Sequence, residues 1–276
     1  MNQVEQRNII SQTEIWVQEQ RNTFQFVTTK AFAIAKEKIK EKRFVVIRGD
    51  SGSGKTRLAT ELLDWLHSPA EKLTFNCKKP LRLPSLQRWD KVISANANLS
   101  ILLDDLLGYS SEVSQDLTWW KQHGEMLNSI VVGKNSANHL IITLRNDIYN
   151  EYKSKFDCLS LFDDGHVIDL SSPEYILHEE RETLLTTYTQ TIDNFKPFSE
   201  IEINQITAIS PPIGFPECCR IFRKTPDLHP ERVEYFRKPL QNIRSVITEK
   251  FNRAKANSAD IHFVISRTCL NKFAGF

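Results

Sequence analysis

The sequence predicts an α/β fold, with a parallel five-stranded sheet flanked by helices and an all-helical region behind it. Three observations predict this class. Short apolar runs of the kind found in buried parallel strands alternate with helical patterns as far as about Ser171. A Gly/Ser-rich turn joins the first of these strands to the next helix, and after Ser171 only helical patterns follow. We therefore expect an N-terminal lead-in and helix over residues 1–43, an α/β domain over 44–170 and a helical companion domain over 171–276.

The N-terminal elements are predicted from the spacing of apolar side chains. Residues 1–13 are polar, and we expect them to be frayed. A lead-in follows, and it ends in an amphipathic helix over residues 29–42, where apolar residues recur at helical spacing. The continuous apolar run at 44–47 predicts the first strand. After a Gly/Ser turn at 48–56, residues 57–67 predict a helix whose leucines face inward.

The remaining strands are also predicted from short apolar runs. They are expected at residues 73–77, 99–103, 139–144 and 166–170. Residues 78–84 contain two prolines and are expected to form a loop. Further helices are expected at residues 119–132, 147–156, 175–193, 201–209, 217–223, 232–250 and 258–273. The expected strand order is 166–170, 44–48, 139–144, 99–104 and 73–77.

Composition and charge exclude several classes of protein. Hydrophobic residues make up 40% and charged residues 25%, which excludes disorder over most of the chain. The net charge of the whole chain, +2, implies no nucleic-acid or membrane partner. Residues 99–180 are acidic and residues 217–276 are basic; packing of one against the other is the preferred interpretation, and a basic surface for nucleic acid or acidic lipid is the alternative.

Targeting signals and cysteines point to the cytoplasm. No apolar run approaches the roughly 18 residues that span a bilayer, and the N-terminus has no apolar leader, so we expect no membrane partner. The five cysteines make an odd count without paired spacing, which favours buried, reduced thiols. They are Cys77, Cys158, Cys218, Cys219 and Cys269.

A complete phosphate-binding loop follows the first strand. The pattern G-x-x-x-x-G-K-[ST] is satisfied by Gly49, Asp50, Ser51, Gly52, Ser53, Gly54, Lys55 and Thr56. Glycines allow positive φ, so that backbone N–H groups converge on phosphate oxygens at the N-terminus of the next helix. Lys55 would neutralise the β- and γ-phosphates, and the Thr56 hydroxyl would bind Mg²⁺. The α/β domain is therefore predicted to be a P-loop NTPase domain.

Two carboxylates follow the strand at 99–103. Such a strand brings Asp104 to the carboxyl edge of the sheet, where it would hold Mg²⁺. Asp105 stands where vigorous ATPases have a glutamate that activates water, and its shorter side chain reaches the attacking water less readily. This favours a slow hydrolase or a switch over a motor. The alternative is a solvated acidic turn after a buried strand.

Arg145 ends the strand at 139–144. An arginine at this edge can reach the γ-phosphate and sense its presence. The alternative is a structural ion pair with Asp104, Asp105 or Asp147. Both interpretations stay open at this point.

These motifs together resemble the STAND class of P-loop NTPases, and they are most similar to the third type of novel STAND NTPase domain. The resemblance rests on the phosphate loop, on the segments Leu102-Leu103-Asp104-Asp105-Leu106-Leu107-Gly108 and Ile141-Ile142-Thr143-Leu144-Arg145, and on further matches between about residues 14 and 250. It implies a nucleotide-dependent switch that is closed with ADP, and that opens and forms homo-oligomers with ATP. It also implies large intracellular receptors of immune-like character.

The resemblance assigns two more contacts to the nucleotide. Gly214 and Pro216, in Gly214-Phe215-Pro216, match an element that touches adenine; an ordinary helix-starting turn is the alternative. Residues 26–29 would line the base from the other side. STAND receptors have an effector domain before the NTPase and sensor repeats after it, and we expect neither in this chain. Partners would then supply them, or the chain is an isolated module or a fragment.

The expected function is ATP–Mg²⁺ binding with slow hydrolysis to ADP, in which Lys55, Asp104, Asp105 and Arg145 stabilise and position the reacting groups. One rival is a scaffold that binds nucleotide without turnover. Another is a P-loop transferase (a small-molecule kinase), which would need an arginine-rich lid that is not found between residues 105 and 138. A third, a nucleic-acid translocase, would need a strongly basic channel. ATP over GTP rests on the resemblance.

Overall fold

The computed structural model describes residues 3–23, 25–68, 78–83, 89–94, 97–108, 118, 122–123, 131, 136–156, 162–163 and 165–256. The chain divides into two compact units, Met1–Glu180 and Arg181–Phe276. Each unit is described by itself. The division into three segments at residues 43 and 170 stays a prediction.

The first unit begins with a long helix, α1 (Gln3–Thr23). The expectation that residues 1–13 are frayed is wrong for the described residues, which are helical from Gln3 onward. Ile9, Thr13 and Val17 recur four residues apart, so they lie on one face, and all three are buried. This apolar face stabilises the helix because it packs against the sheet, although most of the segment is polar.

The predicted helix at 29–42 is confirmed as α2 (Lys30–Lys42). Thr29 is its N-cap, and its hydroxyl accepts a hydrogen bond from the Phe32 N–H (3.2 Å). The helix ends where Arg43 takes a left-handed φ of 65° and donates its N–H to the Ile39 carbonyl. The buried face consists of Ala31, Ala35 and Ile39.

The sheet has five parallel strands in the order β2-β3-β4-β1-β5, and the predicted fold class is confirmed. The strands are β1 (Phe44–Gly49), β2 (Lys79–Leu83), β3 (Leu99–Leu103), β4 (His139–Arg145) and β5 (Val167–Asp169). Their carboxyl ends meet at one edge: Gly49 is level with Arg145, and Arg48 with Asp169. Side chains at the ends of these strands are therefore neighbours.

The edge strand β2 corrects one prediction. Residues 79–83, which were expected to be loop, pair with β3, whereas the strand predicted at 73–77 lies outside the described residues. Pro80 is tolerated because β2 is an edge strand. The Lys79 N–H donates toward β3, to the Asn98 carbonyl, so residue 80 turns its missing N–H outward.

Helices cover both faces of the sheet. They are α3 (Lys55–His67), the short α4 (Trp89–Val92) and α5 (Asn146–Phe156), together with α1 and α2. Successive residues of β1 point to opposite faces, so that Phe44 and Val46 join one buried cluster while Val45 and Ile47 join the other. Of the helix predicted at 119–132, only residues 122, 123 and 131 are described, and these are helical.

In its described part the second unit is built from helices joined by turns and irregular segments. After α6 (His178–Thr189), which begins in the first unit, it contains α7 (Glu200–Thr207), α8 (Phe215–Lys224), α9 (Arg232–Arg237) and α10 (Pro239–Ala256). The single helix predicted at 232–250 is wrong: Pro239 forces Lys238 out of helical geometry (φ −133°, ψ 58°) and separates two helices. The helix predicted at 258–273 lies outside the described residues.

Aromatic rings form the core of the second unit. Phe195, Phe198, Phe222, Tyr235 and Phe236 lie with ring centroids 5.0–6.2 Å apart in successive pairs. Cys218 and Cys219 are free and buried, as expected; the other three cysteines lie outside the described residues. Among the described helices, none combines the length and the apolar character that crossing a bilayer requires.

Candidate functional site

The phosphate loop connects β1 to α3, and its glycines meet specific geometric needs. Gly52 and Gly54 have φ values of 74° and 95°, which side-chain-bearing residues rarely adopt. Gly49 has no room for a side chain, because a Cβ there would lie 2.7 Å from the Ser53 Oγ and 3.2 Å from the Leu170 Cβ. The loop thus turns its backbone toward the N-terminus of α3, which favours an anion.

Lys55 is the first residue of α3, and its side chain folds back across the loop. The ammonium donates hydrogen bonds to the carbonyl oxygens of Gly49 (3.0 Å) and Asp50 (2.8 Å), and the residue is only 8% exposed. Burial lowers the pKa of Lys55, and the negative charge of Asp105 opposes that effect. The two carbonyl oxygens offer this buried cation only partial negative charge. A phosphate bound in the loop would offer it a full negative charge.

Asp104 lies directly beside Thr56. The hydroxyls of Thr56 and Thr143 both donate to its Oδ1 at 2.9 Å, while the Arg82 Nη2 donates to its Oδ2 at 2.9 Å. The Asp104 side chain is 6% exposed. The parallel register of β3, β4 and β1 produces this cluster, since each strand ends at the same edge.

This donor set suits Mg²⁺. A hydroxyl and a carboxylate are the oxygen ligands that this cation prefers, usually together with substrate phosphates. In the described part of the chain, no group of three or more His, Cys, Asp or Glu side chains could hold a metal on its own. A cation at Thr56 and Asp104 would therefore depend on phosphate oxygens for its remaining ligands.

Asp105 is held in an unusual conformation. Its φ is 52°, a strained value for a residue with a side chain, and its N–H donates to the Thr143 hydroxyl at 2.6 Å. Among the described residues its Oδ1 is buried without a hydrogen-bond partner. Burial raises the pKa of Asp105, against the opposing charges of Arg145 and Lys55. An uncommitted carboxylate oxygen with a raised pKa is suited to accept a proton from water.

Arg145 forms an ion pair with Asp147. Its Nε donates to the Asp147 Oδ1 (3.1 Å) and its Nη2 to the Oδ2, and this hydrogen bonding raises the pKa of the guanidinium. The structural pair that was one interpretation of Arg145 is therefore present, with Asp147 as the partner. Sensing of a γ-phosphate would require the guanidinium to leave Asp147, and it stays a prediction.

A second polar network joins the loop to the end of β5. Asn146 Nδ2 donates to the Oδ1 atoms of Asp50 (3.3 Å) and Asp169 (3.1 Å). The Asp50 N–H donates to the Ser171 Oγ at 2.9 Å, and Arg48 pairs with Asp169 at 3.2 Å. The sequence analysis singled out neither Asn146 nor Asp169. Their positions at the ends of strands that flank β1 are the signal that could have identified them.

Arg82 and Thr143 were also missed as site residues. Arg82 lay in a predicted loop, so nothing in the local pattern linked it to Asp104. Thr143 was named only within the segment 141–145 and was given no role. Its position level with Ile47 brings it close to the carboxyl edge of the sheet. Both residues bond to the acidic pair.

The proposed adenine contacts belong to different units. In the second unit Gly214 has a φ of 78° and is the N-cap of α8, with Pro216 in the first turn. This is the helix-starting geometry of the alternative interpretation. Arg181 supports the preceding segment by donating to the carbonyls of Thr207 (2.7 Å) and Ile209 (2.8 Å) and by lying over the Phe215 ring. A contact of Gly214 and Pro216 with adenine stays a prediction.

Comparison with protein families identifies the chain. The model of the novel STAND NTPase 3 family matches residues 26–191, more than half of the sequence. The chain belongs to this family. The expected resemblance is thus confirmed, and with it the general character of this STAND NTPase as a nucleotide-binding P-loop protein. The matched range includes the phosphate loop, Asp104, Asp105 and Arg145, and it ends before Gly214.

Two other comparisons add little. A chain of PCH-2 from C. elegans is similar in structure to this STAND NTPase over 76% of the chain and 68% of PCH-2, with 14% identity and a TM-score of 0.42. No match was found among curated proteins.

Proposed function

We propose that this STAND NTPase is a molecular switch that binds ATP with Mg²⁺ and hydrolyses it slowly to ADP. The observation that carries the proposal is the meeting of Thr56 and Asp104 at 2.9 Å beside a complete phosphate loop. The loop supplies backbone donors, and Lys55 supplies a buried cation within it. Family membership supports an NTPase-type switch in general.

Each residue has a distinct part in this proposal. Lys55 neutralises the β- and γ-phosphates, while Thr56 and Asp104 hold Mg²⁺, which neutralises charge that develops on the phosphate oxygens. Asp105 accepts a proton from the attacking water through its free Oδ1. Its side chain is one methylene shorter than that of glutamate, which makes hydrolysis slow and lets the ATP-bound state persist.

The switch itself is proposed to act through Arg145. With ADP the guanidinium stays on Asp147, and with ATP it turns toward the γ-phosphate. We further propose that the ATP-bound form assembles into homo-oligomers in the cytoplasm, and that effector and sensor modules of an immune-like receptor act with it. These parts rest on the resemblance to STAND receptors.

Nucleotide binding is tested first with the Lys55→Ala variant. We expect it to lose affinity for ADP and ATP by about 100-fold, since each hydrogen bond to a charged group contributes about 1.5–3 kcal/mol. Calorimetric titration would measure this. Lys40→Ala is the matched control, because Lys40 is an exposed lysine on α2 that pairs with Glu37 (3.2 Å) and lies outside the phosphate loop. Unchanged affinity in Lys55→Ala would contradict the assignment.

The switch is tested by light scattering after size exclusion. We expect a larger species with Mg²⁺ and a non-hydrolysable ATP analogue, none with ADP, and none in Lys55→Ala. Asp105→Ala should keep the larger species with ATP itself, because phosphate release is lost. If nucleotide binds but the protein remains one size in every state, the binding-only scaffold is favoured instead.

A further inference from the structure

Arg82 makes a charged contact that the proposed function does not use. It lies on the edge strand β2, and its Nη2 donates to the Oδ2 of Asp104 at 2.9 Å. Thr56 and Thr143 donate to the other oxygen, so that both oxygens of the Asp104 carboxylate already accept hydrogen bonds. The Arg82 guanidinium therefore forms an ion pair with the carboxylate that is proposed to hold Mg²⁺.

The same arginine is bound to the N-terminal helix α1. Its guanidinium lies over the ring of Trp16, with 4.4 Å from Cζ to the ring centroid. Its backbone N–H donates to the Thr13 hydroxyl at 2.9 Å. Arg82 thus joins the acidic end of β3 to α1, a helix that precedes the range matched by the family model.

A guanidinium and Mg²⁺ compete for one carboxylate. The two cations repel each other at short range, and burial of Asp104 strengthens that repulsion. The Arg82 side chain is 42% exposed, so it can turn into solvent when the cation arrives. Such a turn would also take the guanidinium away from the Trp16 ring.

We propose that Arg82 is a resident counter-cation that Mg²⁺ displaces from Asp104, and that its departure loosens α1. The proposal rests on the proposed Mg²⁺–nucleotide site. Through this displacement the N-terminal helix α1 would respond to the binding of Mg²⁺ and nucleotide. Other contacts of α1 do not depend on the Arg82 side chain. Among the described residues they are its buried face, the Arg82 backbone N–H on the Thr13 hydroxyl (2.9 Å), the ion pair of Arg21 with Asp64 (2.9 Å), and the hydrogen bonds of Gln6 to the Val92 carbonyl (2.6 Å) and of Arg57 to the Gln20 carbonyl (3.0 Å).

The first test compares Mg²⁺ affinity in three proteins. Mg²⁺ is titrated into three forms of the 276-residue chain, each saturated with ADP: wild type, Arg82→Gln and the control Arg21→Gln. Arg21 lies on α1 and pairs with Asp64 at 2.9 Å. Its replacement by glutamine removes the same charge from the protein. We expect the half-saturating Mg²⁺ concentration to fall roughly tenfold in Arg82→Gln alone, the size of one short-range charge interaction. Arg82→Lys, which keeps the charge, should stay near wild type.

The second readout is hydrogen exchange of residues 3–23. In the wild type we expect faster exchange with Mg²⁺ and ADP than with ADP and a chelator. In Arg82→Gln the exchange should be fast in both conditions. Equal Mg²⁺ affinity in the wild type and Arg82→Gln would overturn the proposal.

Two further outcomes separate this proposal from the function on which it rests. If Arg82→Gln weakens ADP binding in the presence of a chelator, Arg82 is a phosphate ligand and not a counter-cation. If the wild type binds no nucleotide at all, the proposed function fails, and this inference fails with it. Mg²⁺-dependent nucleotide binding that ignores Arg82 overturns only the inference.

Discussion

Gly108 leaves room for the Asp105 carboxylate. A Cβ at residue 108 would lie 2.0 Å from the Asp105 Oδ2 and 2.3 Å from its Cγ, far inside van der Waals contact. The carboxylate therefore occupies the space that a side chain would take. The left-handed φ of Asp105 and the absence of a side chain at residue 108 together allow the proposed general base to take this position.

We expect Gly108→Ala to turn that carboxylate away. Phosphate release should slow at least about tenfold, since a positioned general base contributes about 100-fold or more. Nucleotide affinity should not change, because the phosphate loop is untouched. Single-turnover phosphate release and an ADP titration would measure both. Gly165→Ala is the control, because a Cβ there would meet nothing within 4 Å. Wild-type hydrolysis in Gly108→Ala would remove Asp105 from the mechanism.

Some site residues could be predicted from sequence because they are local or follow from register. The loop residues are consecutive, and Asp104 follows a strand whose carboxyl end must lie at the same edge as Thr56. Arg82, Thr143 and Asn146 could not be predicted in this way. Their roles depend on which strands are neighbours and on side-chain directions that no local pattern encodes.

At the scale of elements, helix α7 begins with a capping box. The Ser199 hydroxyl accepts from the Glu202 N–H (3.4 Å), and the Glu202 carboxylate accepts from the Ser199 N–H (2.8 Å). Arg232 also donates to Glu202, and it lies over the ring of Phe198. One carboxylate thus links the start of α7 to the start of α9.

This arrangement predicts a pH-dependent stability. Hydrogen bonding from Arg232 lowers the pKa of Glu202 to about 2. A lowered carboxyl pKa contributes stability above the ordinary value, and that stability is lost as the pH falls toward about 2. We expect Glu202→Gln to cost about 1–2 kcal/mol of unfolding free energy at neutral pH, and progressively less in acid.

Urea unfolding at a series of pH values would measure the difference between Glu202→Gln and wild type. Glu249→Gln is the control, since its pair with Arg253 is exposed on both sides. A difference that is independent of pH would mean that the charge of Glu202 does not matter.

Periodicity predicted most elements, and proline accounts for two of the errors. Two prolines suggested a loop where β2 forms. The strand tolerates Pro80 because an edge strand uses only half of its N–H groups for pairing. One helix was predicted across Pro239, whereas this proline divides α9 from α10. The helix α1 was missed because its four buried residues stand among polar residues, and packing stabilises it more than its own composition does.

At the scale of the whole molecule, hydrogen exchange on nucleotide binding tests the predicted adenine contact of Gly214 and Pro216. Mg²⁺ and ADP at about 100 times the dissociation constant would stabilise the binding-competent fold by about 2.7 kcal/mol. We expect hydrogen exchange to slow at residues 49–56, and also at 213–219 if Gly214 and Pro216 contact the base. Lys55→Ala should show neither effect. Slowing at 49–56 alone would favour the helix-starting interpretation of Gly214.

The outer side of β2 restricts how copies of this protein could assemble. Residues 80 and 82 turn their backbone nitrogens away from β3; proline has no hydrogen there, and the Arg82 N–H is taken by Thr13. A strand from another molecule would find no free donor along this strand, so continuation of the sheet from one copy into the next is disfavoured. While Thr13 accepts the Arg82 N–H, an oligomer that used this side would have to be built from side-chain contacts.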